Sequence, residues 1–361
     1  MPRSGRRRPI TSVDVAVAAG VSQATVARCF NTPDVVAPGT RQRIEAAAER
    51  LGYVPNAIAR SLKSQSTNIV GAVVPAVGEY WQNVVTCFSR CLTASGRQLL
   101  LFSFLDQADV DDTLEAVAQY RLDGLILASA TIAEAQLARM RQTGLSLVAF
   151  NHPDAAGIVP SVTVDNEAGS AELARHLADL GCARVLYVGG VAAASTDRAR
   201  FRGAARTLAS ARATCNYMEA GAFTYEAGYK AADRVGQMDS LPDAIMVGGD
   251  EVAFGMLDGL RQYGITAPND LLMTGFDGLP QASWAGYDLT TLVQPAEQLA
   301  EHAAELAARG LDAPSNVVPP SVVVAGTLRR GRTTRRGEEP PARPQARAGR
   351  GCGPQSRAGR G

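Results

Sequence analysis

Gln23, Ala24, Thr25 and Arg28 fall on one side of a short run, QATVARCFN, whose apolar Val26 and Phe30 fall on the other. The arginine fork suits the paired acceptors of a guanine, and an alanine offers only apolar contact, as to a thymine methyl. Far along the chain, Arg200 and Asp277 stand near the ends of apolar runs, where a charged group can pair with a polar ligand. Trp81 and Phe223 offer aromatic faces for a sugar or base ring, and Asn151 offers a neutral polar tip. Other chemistries lack their residues. The three histidines, His152, His176 and His302, have no metal-ligand spacing, and the six cysteines have no zinc spacing. Neither a P-loop nor a G-x-G-x-x-G fingerprint is present, and Gly189-Gly190 after RVLYV is too little to stand for one. No cofactor, no metal and no catalytic residue is expected.

The elements that must position the first group lie between Thr11 and Gly52. Thr11-x-x-Asp14 is a capping box that opens a helix with Val15, Ala16 and Ala19 on one face. Gly20 suits the turn that follows, because a positive φ costs it little. Ser22 can cap the second helix by accepting from its first free N–H groups. A third helix buries Ile44, Ala47, Ala48 and Leu51, and Gly52 ends it. This is a helix-turn-helix pattern. The sequel, YVPNAIARSLKSQSTN, predicts a short helix over 57–64 that exposes Arg60 and Lys63 and is too short to stand alone in water.

TSVDVAVAAGVSQATVARCFN followed by LGYVPNAIARSLKS closely resembles the DNA-binding head and hinge helix of the LacI/GalR family of bacterial transcription regulators. The resemblance runs on more loosely from Val70 to about Leu328. It implies a homodimer whose two heads sit on double-stranded, pseudo-palindromic operator DNA. Ser22, Thr25 and Asn31 would hold phosphates while Gln23, Ala24 and Arg28 face base edges, with Thr11 also at the DNA. In the hinge, Asn56, Ala59 and Leu62 would lie at the minor groove, Leu62 wedging into the central step. Cys29 lies in the recognition helix.

From Asn68 onward, apolar runs alternate with helical patterns. IVGAVVP, QLLLFSF, GLILA and LSLVAF read as buried parallel strands, with helices near 81–95, 108–121 and 133–143. RVLYVGG, AIMVGGD and LLMTGFD form a second set, with helices near 167–180, 197–211, 225–238 and 250–263, and a further helix over 294–309. Two α/β lobes would leave a cleft at the C-terminal edges of their strands. This resembles the periplasmic-binding-protein-like core of the same family, in which the chain crosses between lobes three times. We place the crossings near 165, 293 and 322. By similarity, Arg200, Phe223 and Asp277 match positions that contact effectors, and Asn151 another polar one; Trp81 is added from its place after the first strand. This chain departs from the family at Gly249 before Asp250, at Gly278 after Asp277, at Glu79-Tyr80-Trp81, and at Ala37 and Gly39 before the third helix.

The expected organisation is a basic arm over 1–10, the helix-turn-helix domain over 11–54 and the hinge over 55–66. A core over 67–328 follows, then an Arg/Gly/Pro-rich tail over 329–361. Lobe 1 spans about 67–165 and 294–322, and lobe 2 about 166–293 and 323–328. The formal net charge of +1 conceals a segregation of sign. Residues 1–66 carry ten Arg/Lys against four Asp/Glu, residues 329–361 carry ten Arg against two Glu, and the middle carries sixteen against twenty-nine. A basic head on an acidic body suits a protein that presents one end to phosphate. The tail, almost free of apolar residues, is expected to be disordered.

The expected function is a repressor whose operator affinity is controlled by a small polar ligand, a sugar or sugar acid, held between the lobes. With no signal core after Met1–Pro9 and no run long enough for a bilayer, the expected location is cytoplasmic, at the nucleoid when on DNA, with no membrane partner. A solute-binding protein shares the two-lobed fold but has no use for a DNA head. An α/β enzyme acting on a small carbohydrate is the other rival, and turnover of candidate sugars would favour it.

Overall fold

The computed structural model describes residues 10–54, 66–76, 78–105, 109–129, 131–142, 144–153, 157–309 and 321–335. In the head, α1 (Ser12–Ala19), α2 (Gln23–Asn31) and α3 (Pro38–Leu51) enclose a core of Val15, Ala16, Ala19, Val26, Cys29, Ile44, Ala47 and Ala48. Gly20 takes φ +67° at the turn, and Gly52 takes φ +66° at the end of α3. Both conformations are strained for a residue with a Cβ.

The chain divides into two compact units, one ending at Thr163 and resumed over Ala296–Val324, the other taking Val164–Pro295 and the chain from Ala325. The sheet of the first unit contains β1 (Ile69–Pro75), β2 (Gln98–Phe104), β3 (Gly124–Ala128), β4 (Ser146–Phe150), β5 (Ser161–Val164) and β11 (Val322–Val324). Their order is β11-β5-β4-β3-β1-β2, with β1 to β5 paired parallel. Its helices are α4 (Glu79–Ala94), α5 (Val110–Ala118), α6 (Glu134–Arg141) and α11 (Ala296–Arg309). β3 is buried along its whole length, as expected of a parallel strand covered on both faces.

The second unit repeats the plan with β6 (Arg184–Gly189), β7 (Thr214–Glu219), β8 (Ala244–Val247), β9 (Leu272–Asp277), β10 (Thr290–Val293) and β12 (Thr327–Arg329). The order is β12-β10-β9-β8-β6-β7, parallel except for β12, which runs antiparallel to β10. Its helices are α7 (Asn166–Asp179), α8 (Ser195–Ser210), α9 (Tyr225–Gly236) and α10 (Asp250–Arg261). β7 escaped the sequence patterning because, as an edge strand, it exposes much of its length and interrupts its apolar run with Asn216 and Glu219.

The tail expected from 329 starts too early. Arg329 closes β12 and donates to the Ala282 and Leu289 carbonyls at 3.0 and 2.7 Å, and it pairs with Asp288 at 2.9 Å. Thr333 and Thr334 follow in a 3₁₀ turn, each 2 % exposed. Thr333 donates to the Met273 carbonyl and accepts from the Thr290 N–H. These anchors are polar, so a search for apolar residues passes over them. The remainder, 336–361, lies outside the described residues, as do the arm over 1–9 and the helix expected over 57–64.

Candidate functional site

In the head, the Thr11 N–H and hydroxyl both donate to the Asp14 carboxylate, at 2.8 and 2.7 Å. The Ser22 oxygen accepts from the Thr25 N–H at 3.1 Å and lies 2.9 Å from the Thr25 hydroxyl. This cap fixes where α2 begins, so Val26 and Cys29 turn inward while Gln23, Ala24 and Arg28 remain exposed. The Gln23 amide donates to the Ser12 hydroxyl at 3.0 Å, a bond that steadies it against α1. Cys29 is part of the head's core, and burial pushes its thiol up, with Glu45 adding to the shift. The Asn31 side chain and all of Asn56, Ala59 and Leu62 lie outside the described residues.

In the second unit, Arg200 sits on the second turn of α8 and is 3 % exposed. Its Nε donates to Asn166 Oδ1 at 2.8 Å, and one terminal nitrogen donates to the Gly248 carbonyl. The same nitrogen lies 3.6 Å from Asp277 Oδ1, and the guanidinium carbon stands 3.8 Å over the Phe276 ring. Arg200 is therefore held by four partners. Asp277, at φ +127°, accepts from the Gln294 amide at 2.6 Å. Asp250, wholly buried at the start of α10, accepts from the Gly278 and Leu279 N–H groups at 2.8 Å and from the Thr291 hydroxyl at 2.6 Å.

Burial pushes both carboxyls up. For Asp277, Arg200 opposes that shift and Asp250 adds to it; for Asp250, the bonds from Thr291, Leu279 and Gly278 oppose it. The Asp277 side chain keeps 15 % exposure against 4 % for Arg200, so the carboxylate is the more accessible member of the pair. Phe223 completes the group. Its ring lies so close to Gly190 that a Cβ there would fall within 2.6 Å of three ring carbons. A Cβ on Gly249 would meet both Asp277 Oδ2 and the Phe223 ring at 3.4 Å, so that glycine lies beside both groups. Behind them, buried Asp197 accepts from the Tyr187 and Tyr217 hydroxyls at 3.0 and 2.8 Å.

In the first unit, Asn151 follows β4 at φ +56°, and its N–H donates to the Val162 carbonyl at 2.8 Å. Its Oδ1 is buried without a hydrogen-bond partner. The ring of Phe150, just before it, meets Phe88 at 5.0 Å and Trp81 at 6.4 Å between centroids, both edge-on. Trp81 thus stands in the first turn of α4, near the end of β4. The structure groups Arg200, Phe223 and Asp277 in one unit, and Trp81 with Asn151 in the other.

The sequence alone does not mark Asn166, Asp250 and Gln294 as site residues. The signals available were slight: a helix start after Asp165, an acid after two glycines, and a Gln before Pro295. Among the described residues, no cluster of three or more His, Cys, Asp or Glu side chains could hold a metal ion.

Residues 12–56 match the family described as bacterial regulatory proteins, lacI family, and residues 174–334 match the periplasmic binding protein-like domain. The chain is 30 % identical over 291 residues to the catabolite control protein A of Priestia megaterium, covering 79 % of this chain and 88 % of that protein. It is 28 % identical over 301 residues to the HTH-type transcriptional repressor PurR of Photobacterium profundum, covering 82 % and 90 %. Among solved structures, the lac repressor dimer bound to operator and the anti-inducer ONPF superposes with a TM-score of 0.81 at 20 % identity, over 91 % of this chain and 99 % of that one. The transcriptional regulator CelR in complex with cellobiose superposes with a TM-score of 0.65 at 25 % identity, over 90 % and 100 %.

Proposed function

The chain belongs to the LacI family of bacterial regulatory proteins, and from that premise we propose how its own residues carry out regulation. It is a DNA-binding transcriptional repressor, acting as a dimer, whose hold on its operator is set by a small molecule bound to the core. Arg28 and Gln23 read base edges in the major groove, and Ala24 makes an apolar contact there. Ser22, Thr25, Asn31 and Thr11 are assigned to the phosphates. Asn56, Ala59 and Leu62 are assigned to the minor groove, Leu62 as the wedge. The observation that carries this reading is the division of α2, with Val26 and Cys29 in the head's core while Gln23, Ala24 and Arg28 face outward.

The ligand is assigned to the strand ends of the second unit. Asp277 accepts from it, Phe223 stacks on it, and Arg200 donates the N–H groups its neighbours leave over. Asn151 and Trp81 are the corresponding candidates at the strand ends of the first unit. A polyol or sugar suits this set, since hydroxyls can both donate to Asp277 and accept from Arg200. The reading needs reversible binding and no turnover, so ligand incubated with the protein should be recovered unchanged. The place of action is the cytoplasm, at the nucleoid when on DNA.

The test is selection of duplexes from random sequence by the full-length protein. A pseudo-palindromic consensus is expected. Arg28→Ala should then weaken specific binding by about 1–3 kcal/mol and relax one base pair in each half-site. Recovery of unselected sequence by the wild-type protein would end the reading. An unchanged consensus for the variant would remove Arg28 from the base readers.

A further inference from the structure

The residues that follow the connection from head to core are held by one buried acid. Asp123, at the start of β3, is 4 % exposed. Its Oδ1 accepts from the Thr67 N–H at 2.7 Å and the Thr67 hydroxyl at 2.8 Å. Its Oδ2 accepts from the Asn68 N–H at 2.7 Å and from the Ser66 hydroxyl. Four donors fill the lone-pair sites of a carboxylate. Burial pushes the Asp123 carboxyl up, and the bonds from Ser66, Thr67 and Asn68 together outweigh it and hold the group below the ordinary range. The backbone closes the grip from both sides. The Asp123 N–H donates to the Ile69 carbonyl, and the Gln98 N–H donates to the Asn68 carbonyl, each at 2.8 Å. Asn68 itself takes φ +56°, so the chain turns sharply as it enters β1.

The second unit contains its own control. Asp243 stands before β8 as Asp123 stands before β3; it accepts at 2.8 Å from the N–H groups of Ala183 and of Arg184, the first residue of β6, and the Arg184 guanidinium lies 3.7 Å from it. An acid and two backbone donors are thus common to the starts of β1 and β6. Asp123 takes two hydroxyls beyond that, from Ser66 and Thr67, and it takes them where the chain arrives from the head.

We infer that Asp123, with Ser66 and Thr67, is a positioning clamp that fixes where the chain from the DNA-reading head enters the core, and that specific operator binding depends on it. This rests on the reading of the head as an operator binder. The physical reason is preorganisation. A clamped entry point limits the positions and directions available to the head, so less freedom is lost when both heads of a dimer must engage one duplex at a fixed spacing. Binding to random DNA, which sets no such register, should not feel the clamp.

The experiment uses full-length protein, a duplex selected by the wild type from random sequence, and a random duplex of equal length at the same salt. Asp123→Asn should lose at least tenfold in affinity for the selected duplex. The double variant Ser66→Ala, Thr67→Val keeps the backbone bonds and should lose several-fold. Both should bind random duplex as the wild type does. Asp243→Asn should melt lower than wild type yet keep its preference for the selected duplex. If Asp123→Asn fails to fold, the double variant decides alone. Wild-type affinity in the double variant, equal losses on both duplexes, or an equal loss of preference in Asp243→Asn would overturn the clamp. A wild type that selects no sequence would overturn the underlying reading, and the clamp with it.

Discussion

The two sheets end the same strand in opposite chemical styles. β4 and β9 hold the same place in their sheet orders, and each has at its C-terminal end a phenylalanine followed by a polar residue at positive φ: Phe150-Asn151, the asparagine just past β4, and Phe276-Asp277, the last two residues of β9. In the first unit, the Phe150 ring is met by two other rings, and the polar residue is neutral. In the second unit, the Phe276 ring is covered by the Arg200 guanidinium, and the polar residue is an acid with a second acid, Asp250, close by. A repeated backbone thus supports a neutral aromatic edge and a charged one. The charged edge must keep its ions paired, because an uncompensated buried charge is far more costly than a missing ring contact.

The largest effect expected from this contrast is at Arg200. Arg200→Ala removes the cation beside Asp277 and the donor to Asn166 Oδ1 and to the Gly248 carbonyl, and breaking a buried pair from one side costs about 3–5 kcal/mol. Because part of Asp277 is exposed, the low end of that range is expected. Sequence position alone suggests a variant that loses only its ligand response. The burial of Arg200 adds a loss of stability to that phenotype. Chemical denaturation should show the fall. A variant as stable as wild type would mean that Arg200 is dispensable to the fold and reserved for ligand.

A second difference is how each sheet is closed. In the second unit, β12 continues into the Thr333-Thr334 turn, which supplies partners to the Thr290 N–H and hydroxyl and to the Met273 carbonyl. Ending the chain after Arg329 should cost about 2–4 kcal/mol, since each buried group left without a partner costs about 1–3 kcal/mol and water recovers part of it. Ending it after Arg335 should change stability by less than about 0.5 kcal/mol. Equal melting of the two truncations would remove the turn from the fold.

The charged edge should also make stability depend on pH. Both carboxyls are raised above the ordinary aspartate value of about 4. Ionising them therefore disfavours the native state relative to the unfolded one. Their contribution is most favourable at low pH and is lost as pH rises through the raised values. Asp277→Asn keeps an acceptor for Gln294, removes one of the two acids and should flatten the slope between about pH 4 and about pH 7. Denaturation midpoints across that range measure it. A slope as steep as in the wild type would place the titration elsewhere.

Most of the fold was legible because parallel strands buried on both faces read as unbroken apolar runs, as GLILA and AIMV do. The head was legible because its turn, caps and stripe are local in sequence. The site was legible only in part. Arg200 and Asp277 stood out as charges near apolar strands. Their partners, Asn166, Gln294 and Gly248, come from other elements, and no spacing along the chain announces a contact made through the tertiary fold. The same holds for Asp123, which reads as an ordinary acid before a strand until Ser66 and Thr67 are brought onto it.

Of the side-chain substitutions, the smallest effect on stability, and the most selective, is expected at Asn151. Its Oδ1 is buried with no partner, so the protein already bears the cost of desolvating that atom. Its backbone sits at φ +56°, a conformation that glycine adopts freely. Asn151→Gly removes an unsatisfied acceptor and a constrained side chain, and it adds freedom to the unfolded chain. These terms oppose one another, and the net change should stay within about 1 kcal/mol. If Asn151 serves the ligand, affinity should fall by about twofold to about tenfold, since a lost hydrogen bond to an uncharged partner is worth about 0.5–1.5 kcal/mol. Arg200→Ala should lower stability and affinity together, whereas Asn151→Gly should lower affinity alone. Melting curves and ligand titrations on the same two variants separate these outcomes. A loss of stability at Asn151 as large as that at Arg200 would show that the neutral edge is as tightly bound into its unit as the charged one.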